Sequence, residues 1–329
     1  MECRVAEFGG YFGLELPFFT DYFSNAIKLQ SGRAAIRLAI ESTDIKHVYL
    51  PAFICDSVIQ AVLDAGAEPE FYSLDDSLYP QGILGDFNNN SILLYVNHFG
   101  LCDRNIDKLI QDISPENLII DNSQALFSPQ YNNLATVYSV RKFVGVPDGG
   151  LLFLNKGIKV KLPSNEDIVS LERIRHLFIR TAYSAKEGYN DYLESENSLS
   201  DTRPLKMSRL TQRLMRSINF DDVRQKRREN FIKIASKLDE INLHKWQLDT
   251  RSVPLCYPLL LTRDVSSIRE CLANKGIYIP TYWPDAYIRI RDDSCEEQFI
   301  NKCLAIPCDQ RYSEPEIDVL LESILEHLI

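Results

Sequence analysis

Short apolar runs alternate with helical segments over the first half of the sequence, and this alternation constrains the fold most strongly. The apolar runs are rich in Val, Ile, Leu and Tyr and occupy residues 47–50, 70–74, 92–96, 118–120, 135–139 and 150–154. Segments with helical spacing lie between them at residues 33–41, 56–65 and 106–113. Strands that are apolar on both faces and separated by helices are typical of a mostly parallel sheet covered by helices. We therefore predict an α/β fold.

The rest of the chain has a different pattern, which predicts a second and smaller unit. Residues 164–203 are polar and irregular, and we interpret them as a surface or active-site loop. A densely charged segment at 220–241 has the spacing of one long helix, and a mixture of short strands and helices follows. The expected division is an N-terminal arm over 1–24, a large domain over 25–200, and the long helix with a small α+β domain over 201–329.

Composition excludes several classes of partner. The chain has 329 residues, of which 45% are hydrophobic and 25% are charged, with a formal net charge of −10. Such a charge repels nucleic acids and anionic membranes at long range. The sequence contains no apolar run that would span a bilayer and shows no signal peptide, so we expect a soluble cytoplasmic protein.

The cysteines indicate neither a disulfide framework nor a metal site. They are scattered at positions 3, 55, 102, 256, 271, 295, 303 and 308. None form a CxxC pair, and no histidine lies at the spacing of a metal ligand from them. We interpret them as reduced thiols that pack as small hydrophobic side chains, and we expect no metal.

Three segments place polar residues where predicted strands end, which is where chemistry collects in such sheets. In the first, at 29–40, Ser31 and Gly32 open a helix. The free backbone N–H groups of a helix N-terminus suit a phosphate. A serine that only caps the helix gives the same pattern.

The second segment, at 118–127, delivers Asp121 at the end of a buried strand, with Gln124 one helical turn later. A carboxylate in so dry a place needs a cation or several donors, and a protonated pyridine nitrogen would serve. The alternative is an aspartate that caps the following turn.

The third segment, at 137–150, ends a strand at Ser139 and continues through Arg141 and Lys142 into a glycine-rich turn. Desolvation near a buried strand end lowers the pKa of an ammonium, and a lysine that forms a Schiff base needs this property. The alternative is a surface loop with two exposed cations. The turn lacks the spacing of a nucleotide-binding motif.

Taken in this order, the segments resemble the DegT/DnrJ/EryC1/StrS family of sugar aminotransferases. These enzymes depend on pyridoxal phosphate (PLP) and have the aspartate-aminotransferase fold, fold type I. The resemblance covers most of the chain and is carried by SGRAAIRLAI at 31–40, VYLPAFICDSVIQAVLDAGAEPEFYSLD at 48–75, YVNHFG at 95–100 with DRNID at 103–107, DNSQA at 121–125, SVRK at 139–142 with GG at 149–150, MSRLTQRL at 207–214 with RRENF at 227–231, and LAIPCDQRYSEPEIDVLLESIL at 304–325.

The resemblance implies a role for each polar residue. Asp121 would pair with the pyridinium nitrogen and keep it protonated, Gln124 would bond the ring hydroxyl, and Lys142 would hold the cofactor as a Schiff base. The residues implied at the phosphate are Ser31, Gly32, Arg33 and Ser139.

Some positions depart from the family pattern. Cys55 stands where many members stack an aromatic ring on the cofactor, so Cys55, Phe53 or His98 would cover the ring face, and His98 has a purely structural alternative. Lys206 stands near the position where many members carry an arginine, in an Asn-x-Arg segment, that often reaches the neighbouring subunit's cofactor.

Tyr282 and Trp283 are candidates for the sugar pocket, because an aromatic face suits a sugar ring. Packing between the two domains is the alternative for both.

The activity implied by the resemblance is transfer of an amino group from an amino acid, expected to be glutamate, to a keto-sugar linked to a nucleotide. Amino sugars of this kind feed polysaccharide biosynthesis. Retention of Lys142, where the dehydratases of the family have histidine, favours transamination. A homodimer is implied, since this fold places the cofactor at a subunit interface. The alternatives are a PLP-dependent lyase or other PLP enzyme acting on an amino acid, and a non-catalytic binding or regulatory protein.

Overall fold

The computed structural model describes residues 8–83 and 87–328. Cys3 and the first residues of the predicted arm lie outside this range, whereas the remaining seven cysteines are free thiols. Within the described ranges, no helix combines the length and the apolar character needed to cross a bilayer.

Eight strands form the central sheet, in the order β1-β8-β7-β6-β5-β2-β3-β4. They are β1 (Ile27–Leu29), β2 (His47–Pro51), β3 (Glu68–Leu74), β4 (Pro80–Gln81), β5 (Ser91–Val96), β6 (Leu118–Asn122), β7 (Ala135–Ser139) and β8 (Gly150–Leu154). Strands β3, β2, β5, β6 and β7 are parallel, and β1, β4 and β8 add antiparallel edges. The predicted α/β class with a mostly parallel sheet is confirmed.

Both faces of the sheet are buried, which explains the apolar runs in the sequence. In β5, Ile92 and Leu94 pack into a core with helix α1, whereas Leu93 and Tyr95 pack into a core shared with the C-terminal half. The helices are α1 (Gly32–Glu41), α2 (Asp56–Asp64), α3 (Asp103–Asp112), α4 (Ser170–Arg173), α5 (Arg175–Ala182), α6 (Tyr189–Asn197), α7 (Arg209–Met215), α8 (Phe220–Leu238), α9 (Ser266–Asn274), α10 (Cys295–Asn301) and α11 (Glu314–Leu325). Burial on both faces is the usual state of a parallel sheet.

The strand order positions the candidate site. After β2 and β3, the chain returns to the other side of β2 to form β5, and β6 and β7 then continue in that direction. The crevice at such a reversal, outside the carboxyl ends of the strands, is where α/β sheets bind ligands. The segments that leave β2, β5, β6 and β7 at this edge carry most of the candidate residues.

The C-terminal half builds the smaller α+β unit that was expected. Strands β9 (Cys256–Leu260) and β10 (Cys303–Pro307) pair antiparallel and pack with α8, α9, α10 and α11. Helix α8 runs from Phe220 to Leu238, three residues short of the predicted end. Its N-terminus is capped by Asn219, whose side chain accepts from the N–H of Asp222.

The prediction of a loop over 164–203 is wrong, because this stretch contains helices α4, α5 and α6. Leu171, Phe178 and Tyr189 on these helices are more than half exposed, so they give no simple pattern of a buried face. A buried ion pair between Arg173 and Asp167 anchors the stretch instead. Such a contact leaves no periodic signal in the sequence.

Candidate active site

The start of α1 forms the floor of a small cradle at the sheet edge. Ser31 caps the helix, because its Oγ accepts from the N–H of Ala34 at 3.2 Å. A Cβ atom added to Gly32 would lie 3.1 Å from Oγ of Ser123 and 3.6 Å from Cβ of Ser139. These two side chains therefore converge on the first turn of α1, where helix geometry leaves N–H groups without an intrahelical partner. Backbone N–H groups at a helix N-terminus suit an anion, and the hydroxyl of Ser123 could add a further hydrogen-bond donor beside them.

Gly150 allows β8 to come close to this helix start. A Cβ atom at Gly150 would collide with the carbonyl oxygen of Ser31 and lie 2.7 Å from the nitrogen of Gly32. A side chain at this position would push the start of α1 away from the cradle. The second glycine of the turn at 149–150 is therefore required by close approach of two backbones.

Asp121 lies at the carboxyl end of β6 and is almost completely buried, with 3% exposure. Its Oδ1 accepts from the N–H of Ser123 at 2.8 Å. Throughout the described parts of the chain, Asp121 has no ion-pair partner. A buried carboxylate with no cationic neighbour is suited to binding a cation supplied by a ligand.

Gln124 follows one turn later and is fully buried. Its Oε1 accepts from the N–H of Phe99 at 2.7 Å, which fixes the orientation of the amide. Its Nε2 donates to no group within residues 8–83 and 87–328. Buried donors are nearly always satisfied, so this amide is available to an acceptor supplied by a bound ligand or by water.

These groups fit pyridoxal phosphate. The cradle suits the phosphate, the carboxylate of Asp121 suits a protonated ring nitrogen, and the free amide of Gln124 suits the ring hydroxyl. The phosphate, the ring nitrogen and the ring hydroxyl therefore each have a chemically matched group at this edge of the sheet, and the aldehyde is the group that a lysine would bind.

Lys142 ends the short 3-10 turn 140–142 that follows β7, and its side chain is exposed. The burial expected for this lysine is therefore not seen in the single chain over residues 8–83 and 87–328. The exposed-cation alternative describes Lys142 better than its neighbour Arg141. Arg141 is partly buried and forms an ion pair with Glu196 of α6.

Arg33 and Cys55 lie near this ion pair. Burial lowers the pKa of Arg33, the neighbouring Cys55 and Glu196 oppose the lowering, and Arg141 adds to it. Cys55 is half-buried at the start of α2, with its Sγ 3.0 Å from Oγ of Ser57. Lys142 is thus exposed on one side of the site, whereas Gly32, Asp121 and Gln124 on the other side are buried.

The rings considered for stacking on the cofactor are packed in the core. Phe53 and His98 are fully buried, with ring planes nearly parallel at 4° and centroids 5.7 Å apart. Burial lowers the pKa of His98 to about 4, so its ring is neutral at pH 7. Its Nδ1 has no partner in the described part of the chain.

Trp283 and Tyr282 contact the same cluster. The ring of Trp283 packs edge-on against Phe53 at 4.7 Å and His98 at 5.5 Å, and Tyr282 packs edge-on against Phe99 at 5.6 Å. These contacts favour the alternative in which Tyr282 and Trp283 pack between the two halves of the chain over a role in a sugar pocket. Both rings keep some exposed surface.

Lys206 lies on an extended segment whose backbone bridges to Leu29, two residues before Ser31, and to Glu166. Its side chain is exposed.

Ser123 is a site residue that the sequence analysis missed. It lies between Asp121 and Gln124, both of which were selected, and its hydroxyl faces the helix start. Its position two residues after Asp121, at the end of a predicted strand, could have predicted this role, because a serine there is well placed to contact a neighbouring loop.

No protein-family model matches the chain, and no curated protein matches it. Solved structures do match. An aminotransferase, TlmJ from Streptoalloteichus hindustanus, aligns with a TM-score of 0.65 at 16% identity, covering 92% of this chain and 86% of that one. A DegT DnrJ EryC1 StrS aminotransferase from Brucella abortus aligns at 0.59 and 18% identity, covering 92% and 85%. A GDP-4-keto-6-deoxymannose-3-dehydratase with trapped PLP and glutamate aligns at 0.62 and 15% identity, covering 91% and 88%.

The chain therefore has the aminotransferase fold. More narrowly, its fold is similar to that of the DegT/DnrJ/EryC1/StrS sugar aminotransferases, and the resemblance read from the sequence is confirmed at the level of the fold. Proteins with one fold can have different functions, so the function of this chain depends on the residues of its site.

Proposed function

We propose that the chain is a PLP-dependent aminotransferase that moves an amino group from an amino acid to a keto-sugar. The observation that carries the proposal is the buried pair at the end of β6. Asp121 has a carboxylate without a cation, and Gln124 has an amide donor without an acceptor. A degenerate site has no physical reason to keep both groups buried and unpaired.

Each residue has a defined task in this reaction. The cradle of Gly32, Ser123 and Ser139 holds the phosphate, and the carboxylate of Asp121 holds a proton on the ring nitrogen. Bound PLP supplies an electron sink for the carbanion that forms at the carbon losing a proton. Lys142 would hold the cofactor covalently. Once displaced by the amino donor, its neutral amine would take the proton from the donor's α-carbon and deliver it to the cofactor within the same half-reaction, and it would run this transfer in reverse when the keto-sugar is aminated.

We propose glutamate as the donor and a nucleotide-linked keto-sugar as the acceptor. Two similar structures support these choices, one a dehydratase trapped with PLP and glutamate and one the aminotransferase PseC of Helicobacter pylori, involved in the biosynthesis of pseudoaminic acid. Retention of a lysine at position 142 supports transamination over dehydration. The remaining expectations, a cytoplasmic enzyme of polysaccharide biosynthesis, agree with a net charge of −10 but rest on the resemblance.

A homodimer is part of the proposal, because the open side of the site borders exposed apolar surface. Leu171 and Tyr183 are each 73% exposed on helices that pack beside the Arg141–Glu196 ion pair. Exposed apolar side chains that lie together mark surfaces that another chain can cover. We propose that a second copy buries these residues and also covers Lys142. Sedimentation of the wild-type chain should give twice the single-chain mass, and Leu171→Glu should shift the mass toward one chain.

Amine transfer is tested directly. The protein, loaded with PLP, is mixed with glutamate and a nucleotide-linked 4-keto-sugar, and formation of 2-oxoglutarate and amino sugar is followed. We expect equal amounts of both products from the wild-type chain and from Lys156→Ala, a matched change of an exposed lysine beyond β8. Lys142→Ala should give neither product. Ammonia or a keto acid without amino sugar would instead support a lyase.

A further inference from the structure

Arg227 of helix α8 is a buried cation that the proposed reaction does not use. It is 2% exposed, and burial lowers the pKa of its guanidinium. Within the described ranges it makes no ion pair, although Asp309 lies close enough to oppose the lowering. A buried guanidinium without a carboxylate must be stabilised by other acceptors.

The acceptors are backbone carbonyls from two separate segments. Nη2 of Arg227 donates to the carbonyl of Phe143 at 3.2 Å. Nη1 donates to the carbonyls of Pro254 at 3.2 Å and Leu255 at 3.1 Å. The guanidinium also lies over the ring of Phe143, 4.5 Å from its centroid. One side chain therefore joins the segment after β7 to the segment before β9.

The first of these segments carries Lys142, which directly precedes Phe143. The carbonyl of Phe143 receives a second bond, from Nε2 of Gln310 at 2.8 Å, and Oε1 of Gln310 accepts from Nε of Arg227 at 2.9 Å. Two side chains of the C-terminal half thus hold one carbonyl of the lysine turn, and they also hold each other.

The second segment contacts the turn 98–100 after β5, and this turn binds the side chain of Gln124. The N–H of Leu255 donates to the carbonyl of Phe99 at 2.8 Å. The N–H of Phe99 in turn donates to Oε1 of Gln124. Gly100, with a φ of +69°, packs so closely that an added Cβ would lie 2.7 Å from the carbonyl oxygen of Val253.

We propose that Arg227 is a positioning residue that sets the lysine turn and the Gln124 turn in register with each other. This inference rests on the proposed function, because it concerns the two sides of that site. The lysine turn follows β7, and the turn with Gln124 follows β6. Arg227 contacts the lysine turn directly, and it is connected to Gln124 through residues 253–255 and the turn 98–100. Since Arg227 lies on the helix that connects the large and small units, correct docking of the small unit becomes a condition for aligning Lys142.

Arginine suits this task because its donors form a rigid planar fork. A lysine would keep the charge, but its single ammonium cannot reach the carbonyls of Phe143, Pro254 and Leu255 together. Arg228, the next residue, provides a matched control. It donates to the carbonyls of Asp249, at 2.8 Å, and Ser252, and it makes no contact with Phe143.

The experiment compares Arg227→Lys with Arg228→Lys. Hydrogen–deuterium exchange is measured on protein without added PLP at the amides of Phe143 and Val144, both of which bond the carbonyl of Val140. Binding of PLP is then titrated by visible absorbance. For Arg227→Lys we expect exchange at these amides about tenfold faster and PLP binding about tenfold weaker. Arg228→Lys should change neither readout beyond about twofold.

Two results would overturn the positioning role. The first is that Arg227→Lys exchanges these amides and binds PLP as the wild type does. The second is that Arg227→Lys and Arg228→Lys change exchange and PLP affinity by the same amount, which would mean a general loosening of the fold. If Arg227→Lys does not fold, Gln310→Leu removes one donor to the carbonyl of Phe143 and should show the same changes at about threefold. If the wild-type chain binds no PLP, the proposed function fails, while the exchange comparison still decides the role of Arg227.

Discussion

The two sides of the candidate site differ in how completely a single chain builds them. On the cradle side, Gly32, Asp121 and Gln124 are all buried, and backbone N–H groups fix the Asp121 and Gln124 side chains. On the lysine side, Lys142 is exposed and Cys55 is half-exposed. The buried side is formed by strand ends and by the start of α1, whereas the open side is formed by the exposed end of a short turn whose neighbours Val140 and Phe143 are buried.

This difference indicates what each side requires. The side chains on the cradle side are already buried in the single chain, so substitutions that change their size or backbone should lower stability, and substitutions that change only their charge should weaken the cofactor's function. The lysine side gains its low-dielectric surroundings only when something covers it, and a second copy of the chain is the proposed cover. The predictions below test the contrast, starting with the largest expected effect.

Replacement of Asp121 by Asn should have the largest effect. The amide can still accept from the N–H of Ser123, so the fold should keep its melting temperature within a few degrees. An uncharged group cannot hold a proton on the ring nitrogen, and amine transfer should fall about 1,000-fold. The measurement is the rate of 2-oxoglutarate formation with saturating PLP. A loss smaller than tenfold would mean that the buried carboxylate does not act on the cofactor.

Gly150→Ala should destabilise the cradle side strongly. The added methyl group collides with the carbonyl of Ser31, and backbone atoms cannot move aside easily. We expect the free energy of unfolding to fall by about 3 kcal/mol in urea titrations. Gly157→Ala is the matched control, because its Cβ would meet only Oδ1 of Asn155, at 3.9 Å. Equal stability of the two variants would contradict the close contact between β8 and α1.

His98 should make the buried side sensitive to pH. Burial lowers the pKa of His98 to about 4, against 6.5 for an ordinary histidine. Between these values the unfolded chain binds a proton that the folded chain does not, so stability is lost as the pH falls. From pH 7 to 4.5 this one group should cost about 2.5 kcal/mol.

The measurement is the free energy of unfolding at both pH values for wild type and His98→Gln. The variant should lose about 2.5 kcal/mol less than wild type over this pH range. His47→Gln is the control, since the side chain of His47 is 48% exposed. Parallel pH curves for wild type and His98→Gln would contradict the burial of this ring.

Cys55→Ser should have the smallest effect. Its side chain is half-exposed, and a hydroxyl can keep the contact with Oγ of Ser57. We expect a change in unfolding free energy below about 0.5 kcal/mol, with little change in PLP affinity. Calorimetry and absorbance titration measure these quantities. A loss comparable to that of Gly150→Ala would show that the lysine side is as tightly built as the cradle.

The sequence predicted the sheet well because its strands are buried on both faces. β7 and β8 have the predicted bounds, and the other predicted strands are extended by one to two residues. The helices of 164–203 were missed because their apolar side chains, such as Leu171 and Phe178, face solvent in the single chain. Tertiary anchors such as the Arg173–Asp167 pair determine that stretch, and local periodicity does not record them.

The site was predictable where a residue's position follows from its strand. Asp121 and Gln124 were selected because a buried strand ends there, and the fold places both at the edge expected for ligands. The exposure of Lys142 was not predictable, because it depends on what covers a turn. The contact of Arg227 with Phe143 joins residues 84 positions apart in the sequence, and no local sequence pattern around either residue predicts it.

Borohydride reduction tests the central claim most directly. The wild-type protein is mixed with one equivalent of PLP, reduced, digested and mapped by mass spectrometry. The account predicts one pyridoxyl group per chain, on Lys142, and its loss in Asp121→Asn under limiting cofactor. Label spread over other exposed lysines such as Lys156 and Lys206, or no label at all, would contradict it.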